Sequence, residues 1–173
     1  PRIPMTPEER PKLKIQLSPT DKVFELLGWG ALLALWVWTG TSFSSLPDSI
    51  PTHFNAAGEA DGFGRKASIV GLPLIATLLY IGLTLLNRVP HIFNFPTPVT
   101  PDNALRQYTN ATRMIRYLKL ILVLVFAGIS FQTIQQAIGT GEGLGFWFLP
   151  LTLVLVFMPL LYFVINSLRK VNR

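Results

Sequence analysis

The feature that most constrains this chain is a set of four long stretches without a charged residue. They are Leu26–Pro47, Ala67–Asn87, Leu120–Gly141 and Gly143–Leu168. Each reaches the length of about 20 residues that a helix needs to cross a hydrocarbon core of roughly 30 Å. Only 14% of the residues are charged, against about a quarter in ordinary soluble domains. The pattern predicts four transmembrane helices and no separate soluble domain.

The predicted fold class is an all-α integral membrane protein with an ordered extracytoplasmic loop between helices 1 and 2. Residues 1–22 form a basic tail, and Ser18, Pro19, Thr20 and Asp21 resemble a helix start in which Thr20 or Asp21 caps the first turn. A four-span domain follows over 23–168, with spans at about 23–43, 67–87, 117–138 and 144–167. Residues 169–173 form the C-terminus.

Basic residues predict the orientation. The tail, the second loop and the C-terminus carry five, five and three Lys or Arg, whereas the first and third loops carry two and none. Cytoplasmic loops are the ones enriched in Lys and Arg, so both termini are expected in the cytoplasm. Trp36, Trp38 and Trp147 then share the outer interface, where indole rings are enriched.

The net charge of +6 fits these membrane flanks and predicts contact with membrane lipids. Aromatic residues do not alternate with the basic ones, as a single-stranded nucleic-acid groove would require, so no nucleic-acid partner is expected. The chain contains no cysteine, which excludes disulfides, thiolate nucleophiles and cysteine metal ligands.

The first loop is the most specific polar segment, with the sequence LPDSIPTHFNAAGEADGFGRK over Leu46–Lys66. Its proline-rich start predicts extended backbone. Thr52–Asn55 alternates polar and apolar residues like one short strand, and the glycines after Ala57 permit tight turns. The candidate partner-binding or loop-structuring residues are His53, Phe54, Asn55, Gly58, Glu59, Asp61, Gly62 and Lys66.

Four interpretations of this loop stay open. Its His, Asn, Glu and Asp side chains could bind a metal, but a single histidine and the absence of a repeated acidic pattern disfavour that. His53 with Asp61 or Glu59 could act as a base and its orienting acid, although no G-x-S-x-G nucleophile motif accompanies them. The polar side chains could instead fold the loop onto its own backbone, or recognise a partner. We expect no enzymatic activity and no cofactor.

A second polar motif follows Pro90 in the second loop. Its candidate residues are His91, Asn94, Asn103, Gln107 and Tyr108. A helix is predicted to start at Thr100 or Asp102 and to run on into the third span, because apolar residues recur at helical spacing from Ala104. The preferred interpretation is a loop packed against the bundle, followed by an N-capped helix.

The first loop resembles a known family. The pattern Leu46-Pro47-x-x-Ile50-Pro51-x-His53-Phe54-Asn55-x-x-Gly58-x-x-Asp61-Gly62-x-Gly64-x-Lys66 is similar to the signature of a small bacterial membrane domain of uncharacterised function. That domain also forms the N-terminal part of SdpI-like toxin-immunity proteins. The resemblance covers about Leu26–Leu86, and the second-loop pattern resembles short stand-alone members.

The resemblance implies a non-enzymatic protein of the bacterial inner membrane that binds a peptide or protein partner through its outer loop. The best-described relatives protect their host from a secreted peptide toxin and signal its capture, so toxin immunity or signalling is the expected role. His53, Phe54, Asn55 and Asp61 would be the first contacts. This chain has four spans and no evident second membrane domain. It could therefore instead be a structural accessory subunit of a hetero-oligomeric membrane complex; a metal-dependent membrane enzyme is the distant alternative.

Overall fold

The computed structural model describes residues 5–168; the start of the predicted tail and the predicted C-terminal segment 169–173 lie outside the described residues. The described part contains four long helices and one two-stranded sheet, in the order α1 (Pro19–Ser42), β1 (Ser49–Phe54), β2 (Ala60–Arg65), α2 (Gly71–Leu86), α3 (Ala104–Ala137) and α4 (Phe148–Leu168). Short 3₁₀ turns cover Phe43–Ser45, Lys66–Val70 and Pro90–Ile92. All four helices, with α1 and α2 extended by the adjoining 3₁₀ turns to Pro19–Ser45 and Lys66–Leu86, are long and apolar enough to cross a membrane. The predicted four-helix membrane fold is confirmed.

α1 begins with a capping box. Ser18 is the cap: its hydroxyl accepts a hydrogen bond from the backbone N–H of Asp21 at 3.2 Å, and the Asp21 carboxylate accepts one from the Ser18 backbone at 2.9 Å. Pro19 occupies the first turn, where its missing N–H costs nothing. The cap is therefore two or three residues earlier than predicted, and Asp21 is the reciprocal partner.

α3 is the central helix of the bundle and packs against each of the other three. It runs without a break from the second loop into the membrane span, as the sequence predicted. The middle of the bundle is a cluster of Leu32, Leu35, Ala76, Tyr80 and Val123.

Gly28 lets α1 and α2 approach closely. A Cβ at that position would overlap the Tyr80 ring, whereas one at Gly30 would meet open space. Close helix contact therefore requires the glycine at position 28, whereas no such contact constrains Gly30.

α4 begins at Phe148, later than the predicted residue 144. The backbone at Gly143 and Gly145 has φ of +97° and +75°, a left-handed conformation that cannot continue a helix. The α3–α4 loop therefore extends through both glycines. Only 6% of the most apolar window of α4 is buried, so this helix has the least protein cover of the four.

The first loop folds as an antiparallel hairpin, which we call the hairpin (Ser49–Arg65). The expectation of one short strand at Thr52–Asn55 was wrong in two respects. The first strand begins earlier, at Ser49, and a second strand covers Ala60–Arg65. Gly62 and Gly64, interpreted from the sequence as turn residues, lie inside that second strand, opposite His53 and Ile50.

Candidate functional site

The turn of the hairpin is built around Asn55. Its side-chain oxygen accepts hydrogen bonds from the backbone N–H groups of Ala57 and Glu59 at 2.9 and 3.0 Å, and its amide donates to the Glu59 carboxylate at 3.0 Å. The backbone N–H of Gly58 donates to the Asn55 carbonyl at 2.9 Å. Such side-chain-to-backbone bonds fix a turn without help from the rest of the fold. Asn55 and Glu59 are thus loop-structuring residues.

His53 and Asp61 form a pair on the exposed side of the hairpin. His53 Nδ1 lies 2.5 Å from Asp61 Oδ1, and their side chains are 71% and 44% exposed. The contact orients the imidazole and leaves Nε2 as the ring nitrogen available to a ligand. Gly62 allows this placement, because a Cβ there would lie only 3.0 Å from the Cβ of His53.

Phe63 lies two residues after Asp61 in the sequence, and its side chain is also exposed. Asp61, Phe63 and Arg65 are the exposed residues of β2, alternating with half-buried ones, and Phe63 is 64% exposed. An imidazole, a carboxylate, a guanidinium and an aromatic ring on one short hairpin offer hydrogen bonds, both charges and apolar area. Exposed aromatic and charged groups of this kind are typical of recognition surfaces.

The hairpin is clamped to the α3–α4 loop through Gly58. The Gly58 carbonyl accepts a hydrogen bond from the backbone N–H of Leu144 at 2.8 Å. Gly58 has φ of +79°, and a Cβ there would overlap the backbone of Gly145. Glycine is therefore required at this position both for its conformation and for the close approach.

Lys66 anchors the other end of the hairpin. Its backbone N–H donates to the Asp48 carbonyl at 3.0 Å. Its Nζ lies 3.5 Å from the Asp48 carboxylate and 5.8 Å from the centre of the Phe43 ring. The two contacts join the end of α1 to the start of α2, so Lys66 is a structuring residue.

Two open grooves of about 330 and 450 Å³ run beside the hairpin. They share four lining residues, namely His53, Phe54, Ile129 and Leu144. One groove extends toward α2 through Leu72, and the other toward α4 through Phe148. His53 and Phe54 thus border both grooves, whereas Asp61 and Phe63 line neither of them.

The second motif lies at the opposite end of the bundle, and its side chains mostly form hydrogen bonds within their own loop. Gln107 donates to the Thr97 hydroxyl at 2.8 Å, and Asn103 accepts from the Thr100 N–H at 2.9 Å and donates to the Pro98 carbonyl at 2.9 Å. Tyr108 is fully buried against Phe95.

The N-terminal tail completes this packing: Arg10 donates to the carbonyl oxygens of His91 and Phe93 at 3.1 and 2.8 Å. Asn94 is exposed. The preferred interpretation of a packed loop agrees with these contacts. The expected N-cap of α3 was wrong: the side chain of Asn103, the residue before the helix, bonds back into the loop and makes no hydrogen bond to the first turn. The helix begins at Ala104, after the predicted start at Thr100 or Asp102.

Sequence reasoning missed a set of charged residues inside the bundle, which we call the ion cluster. It joins two acids of α1 to three cations of α3, namely Asp21, Glu25, Arg113, Arg116 and Lys119. The sequence did contain a signal. The acids are four residues apart and the cations three apart, so each set shares one helix face, and both sets lie at the border of a charge-free stretch.

Lys119 is the deepest member of the ion cluster, with a side chain that is 0% exposed. Its Nζ lies 2.7 Å from the Glu25 carboxylate and 2.8 Å from the Thr84 hydroxyl. It also lies 4.4 Å from the centre of the Tyr80 ring. Three helices thus converge on one ammonium group.

Among residues 5–168, no three His, Asp or Glu side chains come close enough together to hold a metal ion. The His53–Asp61 pair remains a two-residue arrangement.

Comparison with known proteins places the hairpin in a domain of unknown function, DUF1648, whose family model matches residues 30–77. The chain is also 30% identical over 116 residues to an uncharacterized protein of the archaeon Archaeoglobus fulgidus. That similarity covers 62% of this chain and 63% of the relative. No solved structure matches the chain. The chain is a multi-pass membrane protein that carries a domain of unknown function.

The matched region corresponds to a structural unit. It begins at Gly30 in α1, includes the whole hairpin and ends at Thr77 in α2. Its two helical arms are joined by a hydrogen bond of 2.9 Å from Trp36 Nε1 to the Thr77 hydroxyl. The ion cluster and the second motif lie outside the matched residues. The resemblance seen in the sequence is therefore supported at the level of the domain, in the segment that contains the hairpin.

Proposed function

We propose that this chain is a non-enzymatic, SdpI-like membrane protein that binds a peptide or protein partner through the exposed side of the hairpin. The observation that carries the proposal is the His53–Asp61 pair, which is exposed on the hairpin. The hairpin is held by hydrogen bonds within its turn, by the contact of Gly58 with Leu144, and by Lys66 at the other end. A hydrogen-bonded pair with this exposure adds little to stability. Its specific geometry is better explained by contact with another molecule.

The residues divide by role in this proposal. His53, Asp61 and Phe63 would touch the partner. Asn55, Gly58, Glu59, Gly62 and Lys66 would hold the hairpin in shape. Preorganisation of this kind lowers the entropy that must be lost on binding.

The proposed location is the bacterial inner membrane, with the hairpin outside and both termini in the cytoplasm. The distribution of Lys and Arg along the sequence supports this orientation. The proposed biological role is immunity to a secreted peptide toxin, or signalling of its capture.

Co-purification from native membranes tests partner binding. The full chain is purified in mild detergent and compared with His53→Ala, Asp61→Ala and Ser49→Ala. Ser49 is the matched control, because it is exposed on the same strand. We expect the first two variants to lose a stoichiometric partner and the control to retain it, with all melting temperatures unchanged. A partner that is retained by all three variants would refute the role of the hairpin.

Survival of a host exposed to a secreted peptide toxin tests the immunity role separately. Expression of the native chain should raise survival, and expression of Asp61→Ala should not. Equal survival with and without the native chain would reject immunity while leaving partner binding open.

A structural accessory subunit is the second proposal, supported by the exposure of α4. Phe157, Met158 and Leu161 are each more than half exposed on this helix, so it offers a wide apolar face to a neighbouring membrane protein. A stoichiometric complex that survives the hairpin substitutions would favour this role. A metal-dependent enzyme is the distant alternative, for which elemental analysis of the purified chain is the direct test.

A further inference from the structure

An open groove of about 480 Å³ lies at the end of the bundle opposite the hairpin, between α3 and α4. We call it the α3–α4 groove. Phe24 of α1 closes one side of it, and Phe24 packs edge-on against Tyr117 of α3 with ring centres 6.0 Å apart. The groove is thus formed by three helices and lies away from the hairpin and both of its grooves.

Polarity changes along the α3–α4 groove. Its charged and amide side chains are Asn110 and Arg113 near the start of α3 and Asn166 near the end of α4, so all three lie toward the same end of the bundle. The apolar walls are deeper, with Tyr117 on α3 and Met158 on α4. At 1.5 Å per residue, Tyr117 lies about 6 Å along α3 from Arg113 and about 10 Å from Asn110. On α4, Met158 lies about 12 Å from Asn166. A groove with one polar end and one apolar end suits an amphiphile, and its chain would lie along the helices.

The charge at the polar end of the α3–α4 groove determines which kind of amphiphile head group can bind there. Arg113 lines the groove and its side chain is 43% exposed, whereas its partner Asp21 is 2% exposed and does not line the groove. Arg113 uses Nε and Nη2 for Asp21 and Ser18. The ion cluster as a whole has three cations against two acids. Arg113 is the charged residue among those that line the groove, so a head group there meets a positive charge.

We propose that the α3–α4 groove binds an anionic phospholipid. The lipid phosphate contacts Arg113, Asn110 and Asn166 hydrogen-bond the glycerol or head group, and one acyl chain lies between Tyr117 and Met158. Guanidinium groups are suited to phosphate because they offer several donors in a planar fork. Bound in this way, the lipid fills the space between α4 and the rest of the bundle. The lipid would therefore cover part of α4, which is the least buried of the four helices.

Native mass spectrometry of the full chain in non-ionic detergent tests this inference. The probes are dioleoyl phosphatidylglycerol and dioleoyl phosphatidylcholine, which share acyl chains and differ in net charge. We expect one phosphatidylglycerol to bind per chain in preference to phosphatidylcholine. Arg113→Gln should weaken phosphatidylglycerol binding about tenfold, the loss expected for one charge-assisted hydrogen bond. Equal binding of the two lipids would overturn the proposal.

Matched variants separate the groove from general charge and folding. Arg106→Gln removes a cation from the same helix but outside the groove, and it should leave binding unchanged; an equal loss in both arginine variants would refute the site. Met158→Trp fills the apolar wall without touching the ion cluster, so it decides the question if Arg113→Gln does not fold. It should reduce binding, and Leu153→Trp, which is outside the groove on the same helix, should not. A lipid-free dimer of the native chain would assign the groove to a second copy and overturn the inference.

Discussion

Lys119 shows how a single charged side chain is accommodated inside this bundle. Its ammonium group is out of contact with solvent and has three kinds of partner: a carboxylate, a hydroxyl and an aromatic face. An unpaired charge within a membrane is costly, and charged residues there are almost always paired. The Lys119 contacts therefore help to fix the packing of α1, α2 and α3 around one point.

Replacing Lys119 by Met should strongly destabilise the fold, because Glu25 would lose its nearest cation. Breaking a buried ion pair typically costs 3–5 kcal/mol. Glu25 keeps Arg116 Nε at 3.3 Å, so we expect a loss near the lower end, about 3 kcal/mol. Thermal or denaturant unfolding in detergent measures it.

The control is Lys22→Met, an exposed cation on the same helix as Glu25, which should change stability little. The double variant Lys119→Met with Glu25→Gln should recover part of the loss, since neither charge is then left behind. Additive effects of the two single substitutions would contradict the pairing.

Gly58→Ala tests the clamp between the hairpin and the α3–α4 loop. The left-handed backbone alone costs a non-glycine residue about 1–2 kcal/mol, and overlap with Gly145 adds to this cost. Gly139 is a close control, because its φ is +80° but a Cβ there would meet open space.

We expect Gly58→Ala to lower the melting temperature more than Gly139→Ala. The difference between them reports the close approach to Gly145, separately from backbone strain. Equal shifts would mean that the approach contributes nothing.

At the scale of elements, the hairpin owes its shape to its turn as well as to its packing. The strands pair irregularly between Pro51 and Phe54, and β2 contains two glycines that weaken a strand. Isolated two-stranded hairpins are marginal in water. The Asn55 hydrogen bonds and the contact with Leu144 therefore supply what strand pairing alone does not.

Asn55→Ala should loosen the hairpin turn while leaving the helices intact. It removes the acceptor of the Ala57 and Glu59 N–H groups, so hydrogen exchange at these two amides should become much faster. Asp61→Ala is the matched comparison, because it removes an exposed side chain that makes no bond to the turn. In Asp61→Ala, hydrogen exchange at the Ala57 and Glu59 amides should be as slow as in the native chain. Unchanged exchange in Asn55→Ala would show that other contacts hold the turn.

The elements differ in how far the sequence predicted them. Long charge-free runs identified the helices, because only helices satisfy every backbone group within such a span. Strand β2 was missed because Gly62 and Gly64 indicate turns when they are considered locally. Their presence in a strand depends on the approach of His53 and Thr52 from the opposite strand, and no local pattern contains that information.

At the scale of the whole molecule, the bundle has two chemically different ends. One end carries the hairpin with its exposed pair, and the other carries the ion cluster and the α3–α4 groove. The sequence indicated the first end through one compact segment. To predict the second end, one would have to know that residues about ninety positions apart form pairs, such as Asp21 and Arg113. That pairing depends on how α1 and α3 pack in the folded bundle.

The final prediction concerns how the whole molecule is oriented in the membrane. The chain has no cysteine, so each introduced cysteine is a unique label. Ala57→Cys lies at the exposed hairpin turn and Asn94→Cys in the exposed second loop at the other end. With an impermeant maleimide and intact cells, we expect labelling at position 57 and none at position 94 until the cells are permeabilised. This follows because loops rich in Lys and Arg stay in the cytoplasm, and the second loop has five against two in the first. The reverse pattern would invert the proposed topology and place the hairpin where no secreted partner could reach it.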